Sequence, residues 1–186
     1  ATLNPRAVMH SKESHPQGGP ITVDDVQNSR IVSWPLTLLH CFLVTDYGGA
    51  GLVAKPEIAR SLKTRPVLIA GAGGKISHWK NPEMGGITAE MLGLAPRGEG
   101  FRLWKDGHAA PGGKFPINTN GGGLSFNHSG MYGMQLLVEA YRQLSGTAED
   151  GGFSGLPGKQ TKARSCVVNG TGGSLSTTGT LVLVAD

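Results

Sequence analysis

The sequence is poor in several features that would fix its class at once. No apolar stretch approaches the roughly 20 residues that span a bilayer, and the start shows no apolar core of a signal peptide. The two cysteines, Cys41 and Cys166, lack the paired spacing of a zinc site or a disulfide framework. We therefore expect a cytoplasmic protein without a membrane span and without a bound metal.

Aromatic residues and net charge are also scarce. Aromatic side chains make up 6% of the 186 residues, and the formal net charge is only +4. Lys159, Lys162 and Arg164 lie close together, but without the interleaved aromatics that a single-strand nucleic-acid platform needs. The composition therefore argues against a nucleic-acid partner, and a role of this basic cluster beside phosphate groups stays open.

Glycine, in contrast, is abundant, with 30 residues spread among short apolar runs and no internal repeat. A hydrophobic content of 38% in a chain of this length is enough for one sizeable core. Short helices are predicted over residues 23–29 and 56–62, strand material over 42–55, and a strand over 67–75 that enters a glycine turn. This order of elements predicts an α/β layer fold.

Residues 112–133 (GGKFPINTNGGGLSFNHSGMYG) carry the most specific signal. Residues 114–118 are predicted to form a short strand, and residues 131–144 an amphipathic helix. One stripe of that helix is expected to face the core: Met131, Met134, Val138 and Tyr141. His128 would then lie just before the helix N-terminus, where the partial positive charge favours a neutral imidazole that can accept a proton.

The three consecutive glycines at 121–123 lie between the predicted strand and His128. Without a Cβ, their backbone can approach a ligand or another segment closely, and Asn118 and Asn120 add amide donors and acceptors beside them. Local chemistry alone leaves two interpretations open: a general base beside a ligand, or a tight turn with a helix-capping histidine.

The run PINTNGGGLSFNHSGMYGM at residues 116–134 resembles the histidine motif of the thiolase superfamily. In detail it is similar to the sterol-carrier-type branch, often called lipid-transfer proteins, which includes thiolases and steroid side-chain aldolases. Two other stretches agree in order. Residues 22–53 resemble the segment that closes the N-terminal half, and the hairpin over 166–184, with residues 170–173 in its loop, resembles the last two strands of the C-terminal half.

The resemblance implies a layered αβαβα thiolase-like fold that this chain covers only in part. Residues 1–65 would be the tail of the N-terminal half and residues 66–186 the C-terminal half, with an internal segment missing near 77–92. The family's nucleophilic cysteine precedes the point that matches residue 1, so neither cysteine of this chain takes that role. We therefore expect a C-terminal fragment, a split subunit, or a chain joined across a gap.

The family's chemistry implies three site residues and one acyl carrier, coenzyme A. His128 would activate a nucleophile or polarise the thioester oxygen, and the Gly170 N–H would help hold an oxyanion. Tyr132 is expected to exchange a proton in a retro-aldol reaction, or else to anchor the helix by packing. The family's acid/base cysteine corresponds to Val168, which puts an ordinary biosynthetic thiolase cycle in doubt.

The function expected from the resemblance is the making or breaking of a carbon–carbon bond beside a CoA thioester. The first form is thiolytic acyl transfer in the degradation of lipid, steroid or aromatic acyl-CoA. A retro-aldol lyase of steroid or acyl-CoA side chains, working with an OB-fold partner protein, is the alternative, and a non-catalytic thiolase-like subunit is the third. A homodimer or a thiolase-like heterodimer is expected in each case.

Overall fold

The computed structural model describes residues 22–41, 46, 48–76, 85–110, 112–120, 122, 132–148, 160–172 and 177–186. Its helices in chain order are α1 (Val23–Asn28), α2 (Pro56–Ser61), α3 (Gly85–Met91), α4 (Arg102–Lys105) and α5 (Gly133–Ser145). Its strands are β1 (Ile31–Ser33), β2 (Leu36–Thr37), β3 (Val67–Ile76), β4 (Ser165–Gly172) and β5 (Thr177–Ala185). None of the helices in these ranges has the length and apolar content to cross a membrane.

The chain divides into two compact units, each built from three stretches of sequence. Unit 1 takes its described residues from Ala1–Tyr47, Met84–Met131 and Asp150–Thr161. Unit 2 takes its described residues from Gly48–Glu83, Tyr132–Glu149 and Lys162–Asp186.

Unit 1 begins with α1, which confirms the helix predicted near residue 23. A capping box starts it: the Asp25 N–H donates to Thr22 Oγ1 at 3.2 Å, and the Thr22 N–H donates to the Asp25 carboxylate at 2.7 Å. The antiparallel hairpin of β1 and β2 follows, and Trp34 in its turn is 83% exposed. Thr37 Oγ1 ties this hairpin to α1 by donating to the Val26 carbonyl at 2.8 Å.

The second part of unit 1 packs α3 and α4 around three buried residues, Ala89, Leu103 and Ala109. Residues 114–118, predicted to be a strand, do not form one. Only two backbone hydrogen bonds hold this stretch to the loop after α4, from Phe115 N to His108 O and from Ile117 N to Ala109 O. The prediction was wrong because residues 114–118 pair with no strand of the described chain, and Asn118, with φ of 52°, leaves the extended conformation.

Unit 2 is built on a three-stranded antiparallel sheet in the order β3-β5-β4. The terminal hairpin of β4 and β5 confirms the one predicted over residues 166–184. The predicted glycine turn after residue 70 is wrong, because β3 continues through its glycines to Ile76. Gly71, Gly73 and Gly74 all pair with residues of β5, so the partner strand carries this segment in extended form.

Helix α5 packs on this sheet through a core of Ala140, Leu144, Val168 and Leu183. The helix itself was predicted, but its buried face was not. Tyr141 is 38% exposed, and Met134 and Val138 are only half-buried, while Met131 lies outside the described residues. The buried face differs from the apolar stripe because polar residues occupy buried positions of α5, namely Gln135, Glu139 and Gln143. Two of them pair with each other, since Gln143 Nε2 donates to Glu139 Oε1 at 2.9 Å.

Helix α2 confirms the helix predicted over residues 56–62, with proline at its start. Its Arg60 guanidinium makes two hydrogen bonds of 2.7 and 2.9 Å to the carboxylate of Asp186, the residue after β5. Residues 48–55 carry no strand, so that part of the predicted strand material over 42–55 is wrong. Among the residues that the structure describes, these eight find no partner strand to supply the ladder that a strand needs. Residues 42–45 and 47 lie outside the described part.

Candidate active site

Two of the three predicted site residues fall within the described chain, and both belong to unit 2. Tyr132 is half-buried and is the N-cap of α5, with helical φ and ψ of −66° and −18°. Gly170 lies inside β4 rather than in the loop where the sequence placed it, and it pairs with Gly179 of β5. His128 lies outside the described residues.

A groove of about 460 Å³ lies in unit 2 between the sheet and the first turns of α5. Gly133 and Leu137 line it from the helix. The sheet contributes Ala72, Gly73, Gly74, Val168, Gly170, Gly179, Thr180 and Leu181. None of these lining residues has an ionisable side chain. The groove therefore offers apolar surface and backbone groups to whatever occupies it.

Three glycines in register form the floor of this groove. Gly74 pairs with Gly179, and Gly179 pairs with Gly170, so the row crosses all three strands. Each glycine is two residues from a member of the adjoining row of Ala72, Leu181 and Val168. Val168 and Leu181 of that row pack in the core beneath α5, so both rows lie on the face of the sheet that the helix covers. A Cβ added at Gly170 or Gly179 would meet nothing within 4 Å. Packing does not demand glycine there, and its effect is to leave the groove open.

The N-terminus of α5 forms the other side of the groove. Gly133 is the first residue of the helix and lines the groove directly, and Tyr132 precedes it. The first N–H groups of a helix have no acceptor within the helix, and they carry the positive end of its dipole. The start of α5 can therefore supply hydrogen-bond donors and a favourable potential to an oxygen that gains negative charge.

Val168, which the resemblance matched to the family's acid/base cysteine, lines the groove. Val168 belongs to the core, is 9% exposed and also lines the groove, whereas Cys166, two residues earlier on the same face, packs against that core and does not line the groove. Burial raises the pKa of the Cys166 thiol above its ordinary value, and the negative charge of Glu139 raises this pKa further. Cys166 is therefore held as a neutral thiol and is a poor nucleophile.

The sequence pointed to Gly170 through resemblance but missed Gly74, Gly179 and Gly133. Gly74 and Gly179 gain meaning only from the strand register, because the row exists only once β5 lies between β3 and β4. The available signal was the pair Gly170 and Gly179 on the two arms of the predicted hairpin. Within the described ranges, no group of three His, Cys, Asp or Glu side chains is placed to hold a metal ion.

Comparison with known proteins accounts for this arrangement. Residues 82–185 match the family described as thiolase C-terminal domain-like. The chain belongs to the thiolase family. The matched range contains Tyr132, Gly133, Gly170 and Gly179, and it confirms the predicted α/β thiolase-like fold and the C-terminal character of the segment.

The relatives that this thiolase-family chain matches carry the names of two kinds of enzyme, lyases or aldolases and thiolases. It is 34% identical to the 17-hydroxy-3-oxo-4-pregnene-20-carboxyl-CoA lyase of Mycobacterium tuberculosis, over 80% of this chain and 47% of the relative. It is 31% identical to a steroid side-chain-cleaving aldolase of Thermomonospora curvata, over 100% of this chain and 54% of the relative. It is 28% identical to the benzoylsuccinyl-CoA thiolase subunit BbsB of Thauera aromatica, over 68% and 43%. The chain thus spans about half the length of these relatives.

Proposed function

We propose that this chain is the C-terminal part of a thiolase-like enzyme that makes or breaks a carbon–carbon bond beside a CoA thioester. The observation that carries the proposal is the open groove between the glycine row and the start of α5, which lies largely within the segment that matches the family. The names of the relatives support the choice of substrate, since they include a CoA lyase and a CoA thiolase.

The proposed chemistry develops negative charge on a carbonyl oxygen, which this groove is suited to stabilise. In our proposal the Gly170 N–H and the donors at the start of α5 hold that oxygen, and His128 activates a nucleophile or polarises the thioester oxygen. A donor already positioned at such an oxyanion contributes about 2.7 to 4 kcal/mol to transition-state stabilisation. Coenzyme A enters as substrate or acyl carrier, and no step needs a metal.

A specific observation favours the retro-aldol form over thiolytic cleavage. Val168 lines the groove at the position that the resemblance matches to the family's acid/base cysteine, and Cys166 is partly buried, packs against the core and does not line the groove. A retro-aldol reaction needs no such thiol. A base removes the proton of the β-hydroxyl group of a β-hydroxyacyl-CoA. The bond between the α and β carbons then breaks and releases a carbonyl product, and the resulting enolate of the acyl-CoA takes up a proton at the α carbon. The Tyr132 phenol is our candidate for these proton transfers.

Two assays on the full-length protein separate the reactions. Cleavage of a β-hydroxyacyl-CoA without added free CoA reports the retro-aldol reaction, and cleavage of a 3-oxoacyl-CoA that requires free CoA reports thiolysis. We expect the first to proceed and to fall at least about 100-fold in Tyr132→Phe and in His128→Ala, the low end for general acid/base catalysis. Absence of both reactions would instead favour the non-catalytic subunit.

Tyr132→Phe is the more informative variant because it keeps the ring at the N-cap and removes only the hydroxyl. Equal turnover of Tyr132→Phe and wild type would exclude proton transfer by the phenol and leave Tyr132 a packing role. Tyr141→Phe is the matched control, because Tyr141 lies on the same helix and is 38% exposed. We expect the control to retain wild-type turnover.

The remaining features of the assembly are proposals of the same kind. We propose a homodimer or thiolase-like heterodimer in the cytoplasm, and an OB-fold partner for the lyase form. The relative BbsB is named as a subunit, which supports a multi-subunit arrangement. We also propose that the N-terminal thiolase half ends at residue 65, and that an internal segment is missing near residues 77–92. The match to the Thermomonospora aldolase extends over 229 residues, more than the 186 of this chain, and supports an internal omission.

A further inference from the structure

The groove of unit 2 is lined by side chains that become larger along the strands. At one end its floor is the glycine row of Gly74, Gly179 and Gly170. Two residues further along each strand is an apolar row that also lines the groove, formed by Ala72, Leu181 and Val168. Two residues of a strand span about 6.7 Å, so the two rows lie that far apart.

Helix α5 shows the same gradation on the other side of the groove. Gly133 lines the groove at the helix start, and Leu137 lines it about one turn later. The next residues of this helix face, Ala140 and Leu144, pack in the core with Leu183 and do not line the groove. The packed core therefore forms the inner end of the groove, and Leu137 lies between that end and the bare glycines.

Only one part of an acyl-CoA suits the apolar end of the groove. The phosphates of coenzyme A are charged, and the amides of its pantetheine arm need hydrogen-bond partners if they are buried. The hydrocarbon of the acyl group needs neither, and it matches a wall of alanine, leucine and valine side chains. With the thioester oxygen at Gly170, as in the proposed function, the acyl chain would run over the apolar row towards Leu137.

We propose that Leu137 limits the length of the acyl chain that the groove accepts, so that the protein prefers short acyl groups. This inference rests on the proposed function, since it assigns the acyl part of the same CoA thioester to this groove. Leu137 is only partly buried, and it packs against the edge of the core while it lines the groove. It is therefore a specificity-determining residue rather than part of the closed core.

The test compares the affinities of two saturated thioesters, butanoyl-CoA and hexanoyl-CoA, for the full-length protein by calorimetry. A methylene that finds room in an apolar groove improves affinity about fourfold. We expect wild type to bind hexanoyl-CoA no more tightly than butanoyl-CoA, because the longer chain meets Leu137. In Leu137→Ala three side-chain carbons are gone, and we expect hexanoyl-CoA to bind about tenfold more tightly than butanoyl-CoA.

Leu136→Ala is the matched control. Leu136 is the preceding residue of α5, is also partly buried and packs against the same core, but it does not line the groove. We expect this variant to show the chain-length preference of wild type, whatever its loss of stability in urea. A gain of hexanoyl-CoA affinity in Leu136→Ala equal to that in Leu137→Ala would mean that looser core packing, not the groove wall, causes the gain, and would overturn the inference.

A variant on the opposite wall keeps the test available if Leu137→Ala fails to fold. Ala72 is exposed and lines the groove from β3, so Ala72→Leu narrows the groove without changing the core. We expect Ala72→Leu to bind butanoyl-CoA about tenfold more weakly relative to acetyl-CoA than wild type does. An unchanged ratio would contradict the placement of the acyl chain beside this row.

Failure of this inference and failure of the proposed function give different results. A wild type that binds hexanoyl-CoA far more tightly than butanoyl-CoA, or a folded Leu137→Ala with the wild-type preference, would overturn the length limit and leave the function standing. A wild type that binds none of the three acyl-CoA ligands would overturn the proposed function, and this inference with it.

Discussion

Two glycine-rich segments of this chain have similar composition but different backbone conformations. Residues 71–74 of β3 are extended and paired with β5, whereas Gly122, beyond the left-handed Asn118, has a positive φ of 67°. In the strand, glycine omits a side chain where a groove is needed. At position 122, glycine permits a backbone conformation that other residues rarely adopt. Replacing a groove glycine of the sheet is therefore expected to reduce function, whereas replacing Gly122 is expected to reduce stability.

The largest effect expected from this comparison is on catalysis, from Gly170→Ala. The added Cβ would meet nothing within 4 Å, so the strand should accept it, and it would fill part of the groove. One methyl group in an apolar pocket changes specificity by about 10- to 200-fold. We expect a fall in kcat/KM of that size on the acyl-CoA substrate, with the urea midpoint equal to or above that of wild type.

Gly71→Ala is the matched control for this prediction. Gly71 lies in the same sheet but does not line the groove, and its added Cβ would come no closer than 4.0 Å to the Val182 Cβ. We expect wild-type kcat/KM from this variant. Equal losses in Gly170→Ala and Gly71→Ala would mean that the sheet rather than the groove is sensitive, and the strand side of the comparison would fail.

Substitution of Gly122 is expected to have a smaller effect, on stability rather than on catalysis. Gly122→Ala places a Cβ on a left-handed backbone, which costs about 1 to 2 kcal/mol. We expect the free energy of unfolding, measured in urea, to fall by that amount. Gly122→Asn should recover part of the loss, since asparagine tolerates this conformation. Equal stability of Gly122→Ala and wild type would show that the residue at position 122 adopts another backbone conformation in solution.

The same contrast explains how much of the fold the sequence could predict. Helices α1 and α2 were predictable because their signals are local: a capping box at Thr22 and a proline at the first position of α2. The extended course of β3 through its glycines depends on pairing with β5, more than 100 residues later in the chain. No local rule indicates that partner, and an isolated glycine tract resembles a turn.

The site shows the same limit. Resemblance to a family brought Gly170 and Tyr132 forward, and the structure places Gly170 and Tyr132's neighbour Gly133 on one groove. The row of Gly74, Gly179 and Gly170 could not be found this way, because strand register decides which residues lie side by side. The buried face of α5 was missed since Glu139 and Gln143 satisfy each other there, and a hydrophobic pattern does not register such a pair.

The smallest expected effect concerns the ion pair in unit 2 between Arg60 of α2 and Asp186, the residue after β5. The Arg60 guanidinium lowers the pKa of the Asp186 carboxyl, chiefly through their hydrogen bonds, so the folded state favours the ionised form. A lowered pKa contributes stability that is present above the unfolded-state pKa, about 3.9, and is lost as the pH falls through the lower folded-state pKa. Both groups face solvent, so the contribution is small and screened by salt.

We therefore expect Asp186→Asn to have a slightly lower urea midpoint than wild type at pH 7. As the pH falls, the urea midpoint of this variant should decrease slightly less than that of wild type. The difference in urea midpoint between Asp186→Asn and wild type should become smaller still in 1 M salt. Lys63→Gln is the control, because Lys63 is an exposed cation just after α2 and makes none of these hydrogen bonds to Asp186. Full wild-type acid sensitivity in Asp186→Asn would show that this ion pair does not form in solution, and α2 would then be held to unit 2 by other contacts.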